Sequence, residues 1–374
     1  MNTPSDTVQR ISRLTPLGDV LARLETVAAP VQPRQTDVGA AVGATLAADV
    51  VAAADFPPEP TALRDGWAVV SDHVTDAGSY APALLPVPPA WVEVGAPMPA
   101  GTDAVLPVDA VTLSKVGAQA HLSATPGESV LSRGAAIRKG AVLRRAGECL
   151  RPSDAAVLRT AKVANVSVRM PRVTIFSVLV PTRSAADVIS PILARAIESQ
   201  GCVAQVAQAS SLEAALLDRQ CDAIITVGGT GSGRKDASVK TLARVGKMEI
   251  HGIGLSPGET AAFGSVNGKP VLMLPGRLDA ALSAFLVIGS ALLARLSGRT
   301  ESGPTVSAEL KRKVTSTVGI ADVVLVGGDQ AGVEPLASGF FAGSALARAN
   351  GWILVPPDSE GFAAGTIVQV RPLP

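Results

Sequence analysis

An excess of charge of one sign is missing from this sequence: 33 Lys and Arg stand against 32 Asp and Glu in 374 residues, a formal net charge of +1. A chain so balanced exerts no bulk pull on nucleic acid or anionic membrane, and neither is expected as a partner. Cysteine is scarce. Cys149, Cys202 and Cys221 stand far apart, without C-x-x-C spacing or a neighbouring histidine, which excludes a disulfide framework or zinc site and makes them small buried apolar residues. His73, His121 and His251 are equally isolated and read as surface or satisfied core positions rather than metal ligands. The opening stretch MNTPSDTVQRISRLTPLGDV lacks an apolar signal core, and no uninterrupted apolar run approaches the length a bilayer requires. A cytoplasmic location is the expectation.

What is present is apolar and turn-rich: 47% apolar and 17% charged residues, with 36 Gly and 28 Pro, the composition of a folded chain. The length exceeds what one core serves, so two to four domains are expected. Apolar residues recur at helical spacing over 17–27, after Thr15-Pro16, which predicts an amphipathic helix. Residues 45–138 are short Val/Ala/Leu segments broken by FPPEP, YAPALLPVPPA, GAPMPAGTD and TPGES; these turns forbid long helices and predict a small β-rich domain. Pro152-Ser153-Asp154 opens a short helix in a connecting stretch. From Arg172 the pattern becomes strand and helix in alternation: RVTIFSVLV, 202–206, DAIITV and PVLMLPG as strands, with helices at 189–197, 212–217, 237–245 and LDAALSAFLVIGSALLARLSG. Such alternation predicts a parallel sheet with right-handed crossovers and a binding crevice at the strands' carboxyl ends. VSAEL, ADVVLVG, GWILVPP and TIVQVRP predict a closing β-domain.

Chemistry is concentrated in loops. GGTGSGRKDASV at 228–239 joins an apolar strand to a helix, where backbone N–H groups and the helix dipole hold a phosphate or carboxylate. Gly228, Gly229, Thr230, Gly231 and Ser232 form the turn, and Arg234 and Lys235 add positive charge. Asp236 either caps the helix or serves as a metal ligand or ligand-anchoring acid. Walker-type binding is disfavoured, since G-x-x-x-x-G-K-[ST] is absent. LSPGETAAFG (255–264) and LPGRLDAAL (274–282) bring Ser256, Pro257, Gly258, Glu259, Pro275, Gly276, Arg277 and Asp279 toward the same sheet end. The alternative for these is plain turn chemistry, with Asp279 capping the last helix. In the β-rich domain, periodicity alone makes Asp65, before Gly66, and Asp103 turn residues.

In this order the motifs resemble one family, the molybdopterin molybdenumtransferases, which complete molybdenum cofactor synthesis in bacteria. FPPEPTALRDGWAVV stands where that family has an Asp-Gly-Tyr-Ala signature, and VGAPMPAGTDAVLPVD is similar to its T-G-A-P-x-P-x-G-A-D-A-V segment. GGTGSGRKD, LSPGETAAFG, KPVLMLPG and GSALARANGWILVPP follow in the family's succession. The resemblance implies an α/β plus β fold in a four-part elongated subunit. Its parts are a connector domain (26–51 and 139–171), an inserted β-rich domain (52–138), a molybdopterin-binding α/β domain with a parallel sheet (8–25 and 172–300) and a C-terminal β-domain (301–374). It further implies a homodimer that binds adenylylated molybdopterin, cleaves the adenylate and loads molybdate onto the dithiolene with the help of Mg²⁺. Asp65 and Asp236 match the family's two acids, as catalytic and metal-binding residues; a molybdopterin adenylyltransferase and client molybdoenzymes are the implied partners.

Several loops depart from the family pattern. SVLVPTRS replaces Thr-Gly-Asp-Glu, Val94 and Arg64 replace Thr and Met, Arg234 replaces the first acid of the glycine loop, Ser256 and Glu259 replace two lysines, and LPGRL replaces LPGNP. Losing cationic donors weakens phosphate binding by roughly 1.5–3 kcal/mol per charged contact, with Arg64, Arg234, Lys235 and Arg277 placed to compensate. GGTG followed by an acid five residues on also resembles the related adenylyltransferase domain. Two readings follow: an insertion enzyme, or a non-catalytic paralogue that binds or carries molybdopterin or the finished cofactor for a molybdoenzyme.

Overall fold

The computed structural model describes residues 9–374 apart from 116, 179–186, 208, 235, 302 and 330. Contacts divide the chain into two compact units, one of Asp49–Arg145 with Ser153–Val166 and the other of Met1–Ala48, Ala146–Pro152 and Ser167–Pro374.

The first unit is built of short strands, as its proline and glycine spacing requires. At its centre β1 (Gly66–Val69) lies antiparallel between β2 (Ala90–Val92) and β3 (Ala104–Leu106). Gly66 does not form a hairpin turn. It is a strand residue, and a methyl group there would stand 2.0 Å from the Leu106 carbonyl oxygen, so glycine is required by close approach. Val69, Leu85, Leu106, Val111 and Ala118 are buried together beneath.

The second unit carries the strand–helix alternation. Its helix α1 spans Leu17–Val27, entered after Pro16, and buries Leu17, Val20 and Leu24, one stripe at helical spacing. A six-stranded sheet follows, made of β4 (Arg172–Ser177), β5 (Val203–Ala207), β6 (Ala223–Val227), β7 (Lys247–His251), β9 (Ala262–Val266) and β10 (Lys269–Leu274), in the order β5-β4-β6-β10-β9-β7. Strand β8 (Leu255–Ser256) lies outside this sheet. The four strands β5, β4, β6 and β10 are parallel, and helices α2 (Ile189–Glu198), α3 (Leu212–Leu216) and α4 (Ser238–Val245) lie between them in sequence.

Strand β9 runs antiparallel to both of its neighbours, β10 and β7, a departure from an all-parallel sheet with a local cause. Asn267 and Gly268 have φ of 51° and 77°, the two positive values of a primed hairpin turn, which folds β9 directly against β10.

Helix α5, Leu278–Ser297, is long and apolar enough to span a bilayer by length and composition. Here it is a core helix: Phe285, Ile288, Leu292 and Leu293 are buried in the same cluster as Ile175, Ile225 and Leu272 of the sheet. Strand β8 pairs in parallel with Ala321–Asp329, which continues through Gly351–Val355 and Ile367–Pro372 to Val306–Glu309. The C-terminal strands and the α/β sheet therefore belong to one unit.

Candidate functional site

Parallel pairing of β6 with β10 sets Val227 beside Leu274, and the Gly228 N–H donates to the Leu274 carbonyl at 2.9 Å. The 228–236 and 275–277 loops therefore leave the sheet side by side, at the carboxyl ends of neighbouring strands. The 255–260 loop joins them. Thr230 Oγ1 lies 3.3 Å from Thr260 Oγ1, and a methyl group on Gly258 would meet the Ala280 carbonyl at 3.4 Å, at the start of α5. The structure brings together Gly228, Gly229, Thr230 and Gly231 with Pro257, Gly258, Pro275, Gly276 and Arg277.

The glycine loop is held from behind at every carbonyl from 228 to 231. Gly228 and Gly229 have φ of 97° and 73°, the left-handed region that glycine enters without strain. Ser238 Oγ donates to the Gly228 carbonyl at 3.0 Å, and the Ser238 N–H donates to that of Gly229 at 3.1 Å. His251 Nε2 lies 3.0 Å from the Thr230 carbonyl; a carbonyl only accepts, so Nε2 donates.

Gln9 completes the set. Its Nε2 donates to the carbonyls of Gly229 and Gly231, both at 3.0 Å. Its Oε1 accepts the N–H groups of Val239 at 3.0 Å and Lys240 at 3.2 Å. Those are first-turn donors of α4, the ones expected to face an anion, and here a side chain of the same chain satisfies them.

Asp236 is not the helix cap. The N-cap of α4 is Ala237, which makes no side-chain capping bond of its own. Asp236 Oδ2 instead accepts the Gly233 N–H at 2.9 Å, and the Asp236 N–H donates back to the Gly233 carbonyl at 3.0 Å. The carboxylate lies against the glycine loop: a methyl group would come within 2.8 Å of Oδ2 from Gly231 and 3.0 Å from Gly233. Ser232 and Arg234 are exposed. Lys235 lies outside the described residues, as does the PTRS segment after β4.

Arg277 is already paired. Its Nε and Nη2 donate to the two carboxylate oxygens of Asp279 at 3.1 and 2.5 Å, and its guanidinium lies 5.6 Å from the centre of the Phe340 ring. Burial pushes the Asp279 carboxyl up, but the Arg277 hydrogen bond and the Ala280 and Phe341 amides hold it below its ordinary value. Asp279 thus anchors the 277–279 corner to the Phe341 segment, whose N–H it accepts at 3.4 Å. Nearby Asp322, paired in register with Ser256, is only 7% exposed, and its Oδ1 has no hydrogen-bond partner. Burial, with the negative Glu259 adding to it, pushes the Asp322 carboxyl up to about 6 against the Gly339 amide.

Asp65 belongs to the other unit. It is exposed, and its Oδ1 accepts the Val94 N–H at 2.7 Å. Val94 lines a cavity of about 340 Å³ with Phe56, Pro57, Leu63, Pro97 and Leu131. Asp103 is a cross-strand clamp, accepting both the N–H and the hydroxyl of Ser71 at 2.7 Å. Among the described residues no group of three or more His, Cys, Asp or Glu side chains is placed to hold a metal ion. Asp236 is the carboxylate beside the glycine loop that would hold a Mg²⁺ there.

Gln9, His251, Thr260 and the Arg277–Asp279 pair are the site features that sequence reasoning missed or misread. Gln9 and His251 carry no motif; only the tertiary path of the chain beside the loop reveals them.

Three family models match in succession: the MoeA N-terminal region (domain I and II) over residues 15–161, the probable molybdopterin binding domain over 174–295, and the MoeA C-terminal region (domain IV) over 307–373. Molybdopterin molybdenumtransferase 2 of Mycobacterium tuberculosis is 29% identical over 378 residues, covering 88% of this chain and 92% of its own. A putative molybdopterin biosynthesis protein of Methanocaldococcus jannaschii is 25% identical over 372 residues, covering 90% and 91%. The crystal structure of the molybdopterin biosynthesis MoeA protein of Pyrococcus horikoshii superposes with a TM-score of 0.75 at 24% identity, over 97% of this chain and 100% of that one. With the N-terminal, molybdopterin-binding and C-terminal regions matched in order along nearly its whole length, the chain belongs to the molybdopterin molybdenumtransferase family of molybdenum cofactor biosynthesis.

Proposed function

We propose that this protein inserts molybdate into adenylylated molybdopterin. The observation that carries this reading is the convergence of the 228–236, 255–260 and 275–277 loops at the carboxyl ends of β6 and β10, in a chain of this family. In this reading the glycine loop holds a phosphate of the ligand. Asp236, beside it, would hold a Mg²⁺, which would supply positive charge against the phosphate, and Asp65 is the second acid. The protein acts as a cytoplasmic homodimer, receives its substrate from a molybdopterin adenylyltransferase and supplies client molybdoenzymes.

Complementation tests the reaction. The gene is expected to restore molybdoenzyme activity in a strain lacking its insertion enzyme, and Asp236→Asn is expected to abolish that rescue while ligand affinity persists. Failure to complement, with molybdopterin binding retained, favours the carrier reading, which the Glu259 charge and the paired Arg277 support. Absence of any affinity for molybdopterin or its adenylate overturns both.

A further inference from the structure

We propose that Gln9 is a positioning residue of the glycine loop, turning the N–H groups of Thr230 and Ser232 away from itself so that, with the Gly231 N–H between them, they are the donors that hold an oxyanion of the ligand. The inference rests on the reading of this loop as the ligand's phosphate site, and adds which atoms form it and what sets them.

The argument is one of peptide geometry. In a trans peptide the carbonyl of one residue and the N–H of the next point in opposite directions, and the peptides joining residues 229 to 232 are trans. The carbonyls of Gly229 and Gly231 both point to Gln9 Nε2 and that of Thr230 to His251 Nε2. The N–H groups of Thr230 and Ser232 must then point away from Gln9, and that of Gly231 away from His251. Among the described residues none of the three finds a hydrogen-bond acceptor. Successive N–H groups left free in a glycine turn are the donors from which an anion-binding nest is built.

The usual alternative, an anion on the first turn of α4, is closed by the same side chain. Gln9 Oε1 takes the Val239 and Lys240 N–H groups, and Gln9 is 3% exposed. One carboxamide therefore uses its acceptor to fill the helix end and its donors to set the loop. Neither charge nor aromatic packing can replace it, because the role requires both a donor and an acceptor at one position. The segment carrying Gln9 is fixed alongside: Thr15 bridges Ile253, and a methyl group on Gly252 would meet Ile11 Cγ2 at 2.4 Å.

The test compares the parent protein with Gln9→Glu, which is near-isosteric and keeps an acceptor for α4 but sets a carboxylate oxygen against the Gly229 and Gly231 carbonyls. Inorganic pyrophosphate is titrated while the backbone amide resonances are followed by NMR. In the parent, the Thr230, Gly231 and Ser232 amides are expected to shift together. In Gln9→Glu these shifts are expected to vanish and the Kd to rise at least tenfold. If Gln9→Glu does not fold, Gln9→Met, which keeps the side-chain length without polar atoms, carries the same expectation. A folded variant that binds pyrophosphate as tightly as the parent, through the same three amides, overturns the role of Gln9. Pyrophosphate binding by the parent that leaves these three amides unmoved overturns the assignment of donors. A parent that binds no pyrophosphate overturns the phosphate-site reading itself.

Discussion

Replacing Asp322 by asparagine should stabilise the unit that contains the α/β sheet, and by an amount that depends on pH. The carboxyl is 7% exposed, one of its oxygens has no partner, and burial together with Glu259 pushes it up to about 6 from an ordinary value of 3.8. At ~1.4 kcal/mol per tenfold change in proton affinity, that gap corresponds to roughly 3 kcal/mol. The sign follows from proton counting. Between about pH 4 and pH 6 the folded chain holds a proton that the unfolded chain has released, so stability falls as pH rises through this window. The penalty is complete above about pH 6 and absent below about pH 4. Asparagine has the same shape, still accepts the Gly339 N–H, and never carries the charge. Asp322→Asn is therefore expected to be more stable than the parent by about 2–3 kcal/mol at pH 7 and equal to it near pH 4.

Urea unfolding from pH 4 to pH 8 provides the assay. Trp352 lies opposite Leu325 on the strand that carries Asp322 and is buried, so its fluorescence reports this unit once Trp67 and Trp91 are replaced by phenylalanine in both proteins. A stability difference that stays constant over the whole pH range refutes the reasoning. So does an asparagine variant less stable than the parent at pH 7, which would mean that the carboxylate is ionised and satisfied in the fold.

Asp279→Asn has the opposite sign. A depressed carboxyl contributes stability above its unfolded value near 4 and loses it as pH falls further; with the Arg277 side chain 63% exposed, the expected loss at pH 7 is only ~1 kcal/mol, vanishing in acid, as thermal midpoints at pH 7 and pH 3 will record. Gly231→Ala should leave stability nearly unchanged but move the Asp236 carboxylate, 2.8 Å from the added methyl, weakening pyrophosphate by about tenfold, ~1.4 kcal/mol; titration of the folded variant checks this, and unchanged affinity refutes it. Asp65→Ala removes the acceptor of the Val94 N–H and should cost about 1 kcal/mol, whereas Asp65→Asn retains the acceptor and should cost almost nothing. Equal losses in the two variants, read by thermal unfolding, would mean that the charge rather than the hydrogen bond holds that turn.

Much of the fold was legible in the sequence because period and punctuation carry it. Thr15-Pro16 followed by Leu17, Val20 and Leu24 places α1 correctly, and the five residues of β6, apolar but for Thr226, are buried throughout. The alternation from Arg172 onward specifies parallel strands with their loops at one sheet edge, which is why three motifs far apart in sequence were expected at one place and are found there. Local pattern does not reveal strand direction where a turn intervenes. Asn267-Gly268 reverses the chain, so β9 joins the sheet antiparallel to β10, and β7 pairs antiparallel with β9.

Residue roles at the site were decided by tertiary structure alone. A glycine after an aspartate reads as a turn, yet Gly66 is a strand glycine pressed against the Leu106 carbonyl. An aspartate before a helix reads as a cap, yet Asp236 bonds to its own loop while Gln9, 230 residues from Val239 in sequence, satisfies the first turn of α4. Arg277 reads as a free cation, yet Asp279 two residues on holds it. Sequence determined the order of the elements, the family and the loops that meet, because these follow from hydrophobic period, turn chemistry and motif succession. Which groups in those loops remain free for a ligand depends on partners brought close only by folding, and only the three-dimensional structure decided that.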